Sequence, residues 1–386
     1  MYRESSKIIN SDFRKNNLPN VGNNNWLLFL EDPGAVTFIY RIIDVFPEYG
    51  VNIIVVAAGH AVLLLKKMNI IFIENETLID ANNYFDVNNI KVFLTGTSEN
   101  KNSFSFKLIK TAREKMIPVV AFVDGAGSSK ERFKGQTDNS LYWAPDWLVV
   151  PDITTSNLYS QIGFNASRIK IIRHPHYNWI LSLKEKWSFE DSIAHRNKWI
   201  PLAGDKKVVI YISETSDGLN PELYKRSKNY TLLGDSNHSG RNEIVLDELI
   251  LALNVLHPKP YLILRLHPKQ CLNDIKPYLK YFDLVSKEEN PIEIVNASDL
   301  VIGMSSSLLS EAYYLGKSVL SVVPDPAEKI YLGDLSEIIP SANTREQIQS
   351  QIIIALNKSK YSTRVVEKKD NSIRELLQFF VENIIV

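Results

Sequence analysis

The sequence predicts an α/β protein with two doubly wound parallel sheets. Three observations carry this: short apolar runs alternate with amphipathic stretches along nearly the whole chain, the alternation lapses once near the middle, and it then restarts. At 386 residues, and about 150 per domain, the chain has room for two or three such units. Hydrophobic residues make up 45% and charged residues 23%, which is globular composition and excludes disorder over most of the length.

The elements follow in order. Residues 1–24 form a polar, Asn-rich leader without the apolar core of a signal peptide. Trp26–Leu30 is wholly apolar, as a strand covered on both faces must be, and the loop Glu31-Asp32-Pro33-Gly34 and an amphipathic helix follow it. Val51–Ala58, Lys91–Leu94, Val119–Val123, Trp147–Val150 and Ile169–Ile172 continue the strands, with Lys107–Met116 helical between two of them. These make an N-terminal domain over residues 25–190. Charged and polar sequence at 191–205 reads as a linker.

A second domain spans 206–366. Its predicted strands are Lys207–Ser213, Tyr261–Leu266, Leu300–Ile302 and Ser318–Val323, and its helices Glu243–Leu256, Asn273–Tyr281 and Ser307–Leu315. Residues 367–386 end the chain. There Ile373, Leu376, Leu377, Phe380 and Ile384 recur at helical spacing, which predicts a helix packed on the body; the alternative use of that face is peripheral contact with a membrane.

Charge narrows the partners. Forty-four basic and 44 acidic residues cancel, whereas a nucleic-acid binder carries the basic excess its phosphate contacts require. Zero net charge also removes mutual repulsion, which leaves room for a homo-oligomer. The single cysteine, Cys271, allows no intrachain disulfide, which fits a reducing cytoplasm. No apolar run approaches the roughly 20 residues of a membrane span, so membrane association is expected only at the inner face.

Ligands of doubly wound sheets bind outside the carboxyl ends of strands, so residues just after each apolar run are the candidates. In YLILRLHPK, Arg265, His267 and Lys269 follow or end a strand, placing two cations and an imidazole at that rim. In ASDLVIGMSSSLLSEAYYLGKSVLS, a strand ends at Gly303 and a helix opens on Ser305-Ser306-Ser307, the way an anion-binding helix start is written. Glu311 lies about a turn further on, placed to accept from a ribose diol. His174-Pro175-His176 suggests a metal pair but lacks a third ligand, so no metal is assigned and His174 is read as lining the interdomain cleft. On the acceptor side Glu31, Gly34, His60 and Arg132 join it as candidates.

LILRLHPK and DLVIGMSSSLLSEAYYLGKSVLS together resemble the donor-binding domain of GT-B glycosyltransferases, two Rossmann-like domains facing a cleft. The likeness is nearest to bacterial sialyltransferase-like and polysaccharide-assembly enzymes with His-Pro and Ser-Ser motifs, and UDP-N-acetylglucosamine 2-epimerases share the architecture. The resemblance implies metal-independent sugar transfer from a nucleotide-sugar co-substrate to a carbohydrate or glycoconjugate acceptor, with no other cofactor. It implies that His267 contacts or protonates the donor phosphate, that Ser305–Ser307 hold it, and that Glu311 binds ribose. It also implies an N-terminal carboxylate base, for which two loops compete: Asp124-Gly125, preceded by Val123, and Glu31-Asp32-Gly34, interrupted by Pro33. Asp124 leads on its order relative to His267, with Asp32 as the alternative base or an acceptor-binding group. Epimerases carry an HVEAG-type segment where this chain has VAFVDGAG, which places 2-epimerase or hydrolase second and a non-catalytic nucleotide-sugar-binding protein third.

Overall fold

The computed structural model describes residues 24–74, 80–215, 225–357 and 372–384. The predicted leader lies outside them, apart from Asn24. The chain divides into two compact units, one of Met1–Trp179 with Lys369–Val386, the other of Ile180–Lys368.

The first unit holds one seven-stranded parallel sheet in the order β3-β2-β1-β4-β5-β6-β7. Its elements are β1 (Asn24–Leu30), α1 (Pro33–Ile43), β2 (Val51–Ala57), α2 (Gly59–Lys67), β3 (Ile73–Glu74), α3 (Ala81–Val87), β4 (Ile90–Gly96), α4 (Phe104–Glu114), β5 (Val119–Phe122), β6 (Trp147–Val150), α5 (Ile153–Gln161) and β7 (Ile169–Ile171). β1 pairs in register with β2 from Asn24↔Val51 to Leu30↔Ala57 and, on its other side, with β4. The order therefore reverses between β1 and β4, and the loops leaving those two strands open at a topological switch point. Every residue from Trp26 to Leu30 is at most 1% exposed, the burial its unbroken apolar run predicts.

α12 (Ser372–Asn383) completes this unit. Phe380 meets Trp26 edge-on at 5.1 Å and Phe379 meets Trp147 at 5.2 Å, while Leu376, Leu377, Phe379 and Phe380 are 0–4% exposed. Each such aromatic pair adds about 0.5–1.5 kcal/mol beyond area burial. The membrane alternative for this face is thereby corrected, because its aromatic and leucine side chains fill the unit's own core.

The second unit repeats the plan with six parallel strands in the order β10-β9-β8-β11-β12-β13. α6 (Pro175–Lys186) contains the division between the units, and α7 (Phe189–Trp199) opens the rest of the second. Then come β8 (Val208–Ile212), α8 (Arg241–Asn254), β9 (Tyr261–Arg265), β10 (Leu284–Ser286), α9 (Pro291–Ala297), β11 (Leu300–Gly303), α10 (Ser307–Tyr314), β12 (Ser318–Val322), β13 (Ser341–Ala342) and α11 (Arg345–Asn357). β8 pairs with β9 on one side and β11 on the other, so this switch point lies between β8 and β11.

Two expectations change. The predicted linker at 191–205 is largely α7, started by a reciprocal Ser188–Asp191 capping box and packed on α9, where Glu293 accepts from Lys198 and the Trp199 indole. Its charge is that of a helix's solvent face, and the division between units comes earlier, at 179/180. The predicted α-helix at Asn273–Tyr281 is instead 3-10, over Leu272–Tyr281, with non-helical backbone at Ile275 and Pro277 inside it. Proline has no N–H to continue an α ladder.

Candidate functional site

In the first unit the carboxyl edge around the β1/β4 switch point carries a compact ion-pair network. Asp124 follows β5, and its Oδ1 accepts from Arg132 Nη1 at 2.5 Å. The same nitrogen donates to Thr97 Oγ1 at 2.6 Å, just past β4, and Arg132 Nε donates to the Gly127 carbonyl at 3.0 Å. Burial works against the Arg132 charge, but the Asp124 carboxylate, together with Tyr159 and Glu99, more than offsets it and the guanidinium pKa is pushed up. Arg132 is therefore a permanent cation that orients the Asp124 carboxylate. Gly34, in the first turn of α1, lies directly against the same carboxylate: a Cβ there would stand 1.7 Å from Asp124 Oδ2. The structure thus joins Asp124, Gly34 and Arg132, three residues singled out separately from the sequence.

The other N-terminal candidates separate from this trio. Glu31 is a loop staple, accepting from Asn100 Nδ2 at 2.6 Å and from the Ser103 hydroxyl at 2.5 Å. Asp32 is the N-cap residue of α1, with extended backbone and no side-chain bond to the helix amides. His60 is exposed in the first turn of α2. His174 is 4% exposed, its ring 4.6 Å from Phe38 and 6.1 Å from His176. Burial, reinforced by His176, pushes its pKa down to about 3, so it is a neutral core histidine rather than a solvent-facing liner. Among the described residues no group of three or more His, Cys, Asp or Glu side chains is arranged to hold a metal ion.

In the second unit, His267 leaves the carboxyl end of β9. Its Nδ1 accepts from the Lys269 amide at 3.2 Å, which puts the proton of the neutral ring on Nε2 as a donor. The His267 amide donates to Gln270 Oε1, and Gln270 Nε2 donates to the Glu214 carbonyl, so the turn is tied to the loop after β8. Lys269 is exposed at its tip. β11 ends at Gly303; Ser306 then caps α10, its hydroxyl accepting from the Leu308 amide, while Ser307 is exposed as the first helical residue and Glu311 is half-buried in the second turn.

Arg265 has another role. It pairs in register with Ser286, and its Nη1 donates to Ser286 Oγ at 2.7 Å and to the Glu289 carbonyl at 3.1 Å. Arg265 is 8% exposed and burial pulls its pKa down. Sequence alternation required a partner for it, and the neighbouring strand and the loop after it supply one.

Sequence reading missed the polar cluster after β8. Glu214 Oε1 accepts from the Ser305 amide at 2.7 Å, and its Oε2 accepts from Arg241 Nη1 at 2.9 Å. Arg241, in the first turn of α8 and 4% exposed, also donates through Nε to Glu328 at 2.7 Å. Burial opposes its charge, yet the two carboxylates push its pKa up. Asn242 beside it accepts from the Tyr211 and Ser213 hydroxyls and from the Glu214 amide. The signal for Glu214 was its position immediately past an apolar strand, the same rule that found His267. Arg241 and Glu328 lie far apart in sequence and carried no such signal.

Two doubly wound parallel-sheet units with these switch points define a GT-B-like architecture. No family model matches the chain, and no curated protein matches it by sequence. Among solved structures it is similar to the UDP-GlcNAc 2-epimerase from Neisseria meningitidis bound to UDP-GlcNAc, at 13% identity and a TM-score of 0.63 over 93% of this chain and 100% of that one. It is also similar to the Methanocaldococcus jannaschii UDP-GlcNAc 2-epimerase in complex with UDP-GlcNAc and UDP, at 12% identity and 0.62 over 93% and 100%. Anabaena HepE in complex with UDP-glucose matches at 13% identity and 0.59 over 93% and 95%. At these identities the likeness is one of fold.

Proposed function

We propose that this protein is an enzyme acting on a nucleoside-diphosphate sugar, breaking the bond between anomeric carbon and diphosphate and transferring the sugar to a carbohydrate hydroxyl. The observation that carries this is the pairing, on one carboxyl edge, of a serine-lined helix start with a histidine whose Nε2 is fixed as a donor. The amides and hydroxyls at the positive end of α10, with the His267 Nε2–H, suit the charge that grows on a departing diphosphate. Glu311, one turn along, suits a ribose diol. In the first unit Asp124, oriented by Arg132, is a carboxylate of the kind that takes the proton of an attacking hydroxyl. The new bond forms from acceptor oxygen to anomeric carbon, the old carbon–oxygen bond breaks, and the diphosphate leaves with the bonding pair.

The fold neighbours favour a second reading, 2-epimerisation, because two of them are described as UDP-GlcNAc 2-epimerases. Both readings break the same bond, and uridine is the first base to try. Incubation with a panel of UDP-, GDP- and CMP-sugars separates them. Nucleotide release that depends on a saccharide acceptor supports transfer. A C2-inverted sugar with solvent deuterium at C2 supports epimerisation. No nucleotide release or sugar product under any condition sinks the enzyme reading. His267→Ala is expected to reduce turnover at least a hundredfold with folding retained, and unchanged turnover removes His267 from the chemistry.

A further inference from the structure

The seat proposed for the donor diphosphate already holds an anion of the protein's own. Glu214 Oε1 takes the Ser305 amide at 2.7 Å, and Oε2 lies 3.4 Å from the Ser305 hydroxyl and 2.9 Å from Arg241 Nη1. A second carboxylate, Glu328, approaches the same guanidinium at 2.6 Å. One buried cation therefore faces two acids, and Glu214 lies between that cation and the helix start. A diphosphate brought to Ser305 meets a like charge at hydrogen-bond range, and both cannot hold one N–H.

We propose that Glu214 is a displaceable internal occupant of the phosphate seat, whose carboxylate is exchanged for a ligand phosphate on binding. This rests on the reading of Ser305–Ser307 as the diphosphate site. When Glu214 leaves, the Ser305 amide and hydroxyl turn to the phosphate, and Arg241, still anchored by Glu328, has Nη1 free to face it. The exchange keeps buried polar groups satisfied in both states: without ligand, Glu214 caps the donors; with ligand, phosphate does. It also sets a threshold for ligands, since an anion must outcompete a tethered carboxylate, which a bidentate diphosphate does better than a single carboxylate or sulfate.

The test titrates inorganic pyrophosphate into the wild-type chain and into Glu214→Gln, Glu214→Asp and Glu328→Gln by calorimetry, with melting curves confirming that each is folded. Glu214→Gln keeps the shape and loses the charge, and Glu214→Asp keeps the charge and loses the reach. Both are expected to bind pyrophosphate about tenfold more tightly than wild type, the worth of one charged hydrogen bond no longer contested. Glu328→Gln changes net charge as much as Glu214→Gln without vacating the seat, so it is expected to gain less than threefold. Equal or weaker binding by both Glu214 variants overturns the proposal. So does an equal gain in Glu328→Gln, which reduces the effect to net charge, and so does absence of pyrophosphate binding in every protein. Turnover of nucleotide sugars is scored separately: tighter pyrophosphate binding without turnover refutes the proposed enzyme function and leaves the exchange standing.

Discussion

Replacing Gly34 by alanine tests how the Asp124 carboxylate is held. The added Cβ would stand 1.7 Å from Asp124 Oδ2 and 2.6 Å from its Cγ, so the carboxylate has to retreat by more than about 1 Å. That movement breaks the 2.5 Å contact with Arg132, whose side chain is only 12% exposed. A charged hydrogen bond in such a place is worth about 1.5–3 kcal/mol, and alanine returns up to about 1 kcal/mol through helix propensity. A net loss of about 1–2 kcal/mol is expected, together with loss of most turnover. The assay is a double-mutant cycle in urea with Asp124→Ala: once the carboxylate is gone, Gly34→Ala is expected to become neutral or mildly stabilising. The coupling between the two sites is then about 1.5–3 kcal/mol. A Gly34→Ala protein as stable and active as wild type, or a coupling below about 0.5 kcal/mol, refutes this geometry.

Other expectations follow from the same contacts. Because folding pushes the His174 pKa from 6.5 down to about 3, the unfolded chain binds a proton the folded one refuses, and stability falls by about 1.4 kcal/mol per pH unit below pH 6.5 until about pH 3. Urea unfolding at pH 7 and pH 5 is expected to show roughly 2 kcal/mol more loss in wild type than in His174→Gln, and parallel pH dependence would contradict it. Arg241→Met leaves Glu214 and Glu328 facing each other without a cation and is expected to destabilise by about 3–5 kcal/mol; a change below about 1 kcal/mol would show that the cluster carries little. Arg265→Met is expected to lower stability by about 1–3 kcal/mol without moving the KM for nucleotide sugar, whereas a tenfold rise in KM would return Arg265 to phosphate binding.

The βαβ alternation was legible because fully covered strands must be apolar on both faces, so Trp147–Val150 is a strand over the same four residues expected, and Val119–Val123 shifts by only one. Short edge strands such as β3 and β13 carry two residues each, too few to show a period. α7 was hidden by its charged face, which resembles a linker until Glu293 is seen receiving Lys198 and Trp199. At the sites, strand-end residues could be found because a parallel sheet sends them to one edge. What a strand-end side chain meets there is set by neighbours distant in sequence: Ser286 decides the role of Arg265, and Phe38 packs on the ring of His174. The Glu214–Arg241–Glu328 cluster joins three segments and has no local signature.

The central claim is that the second unit seats a nucleoside diphosphate on Ser305–Ser307 with Glu311 on the ribose. A crystal structure with uridine diphosphate tests it most directly. The expected result places phosphate oxygens within 3.2 Å or so of the Ser305–Ser307 amides and of His267 Nε2, with Glu214 turned out of the seat. Nucleotide bound away from the α10 start, or crystals that take up none at saturating concentration, would contradict it.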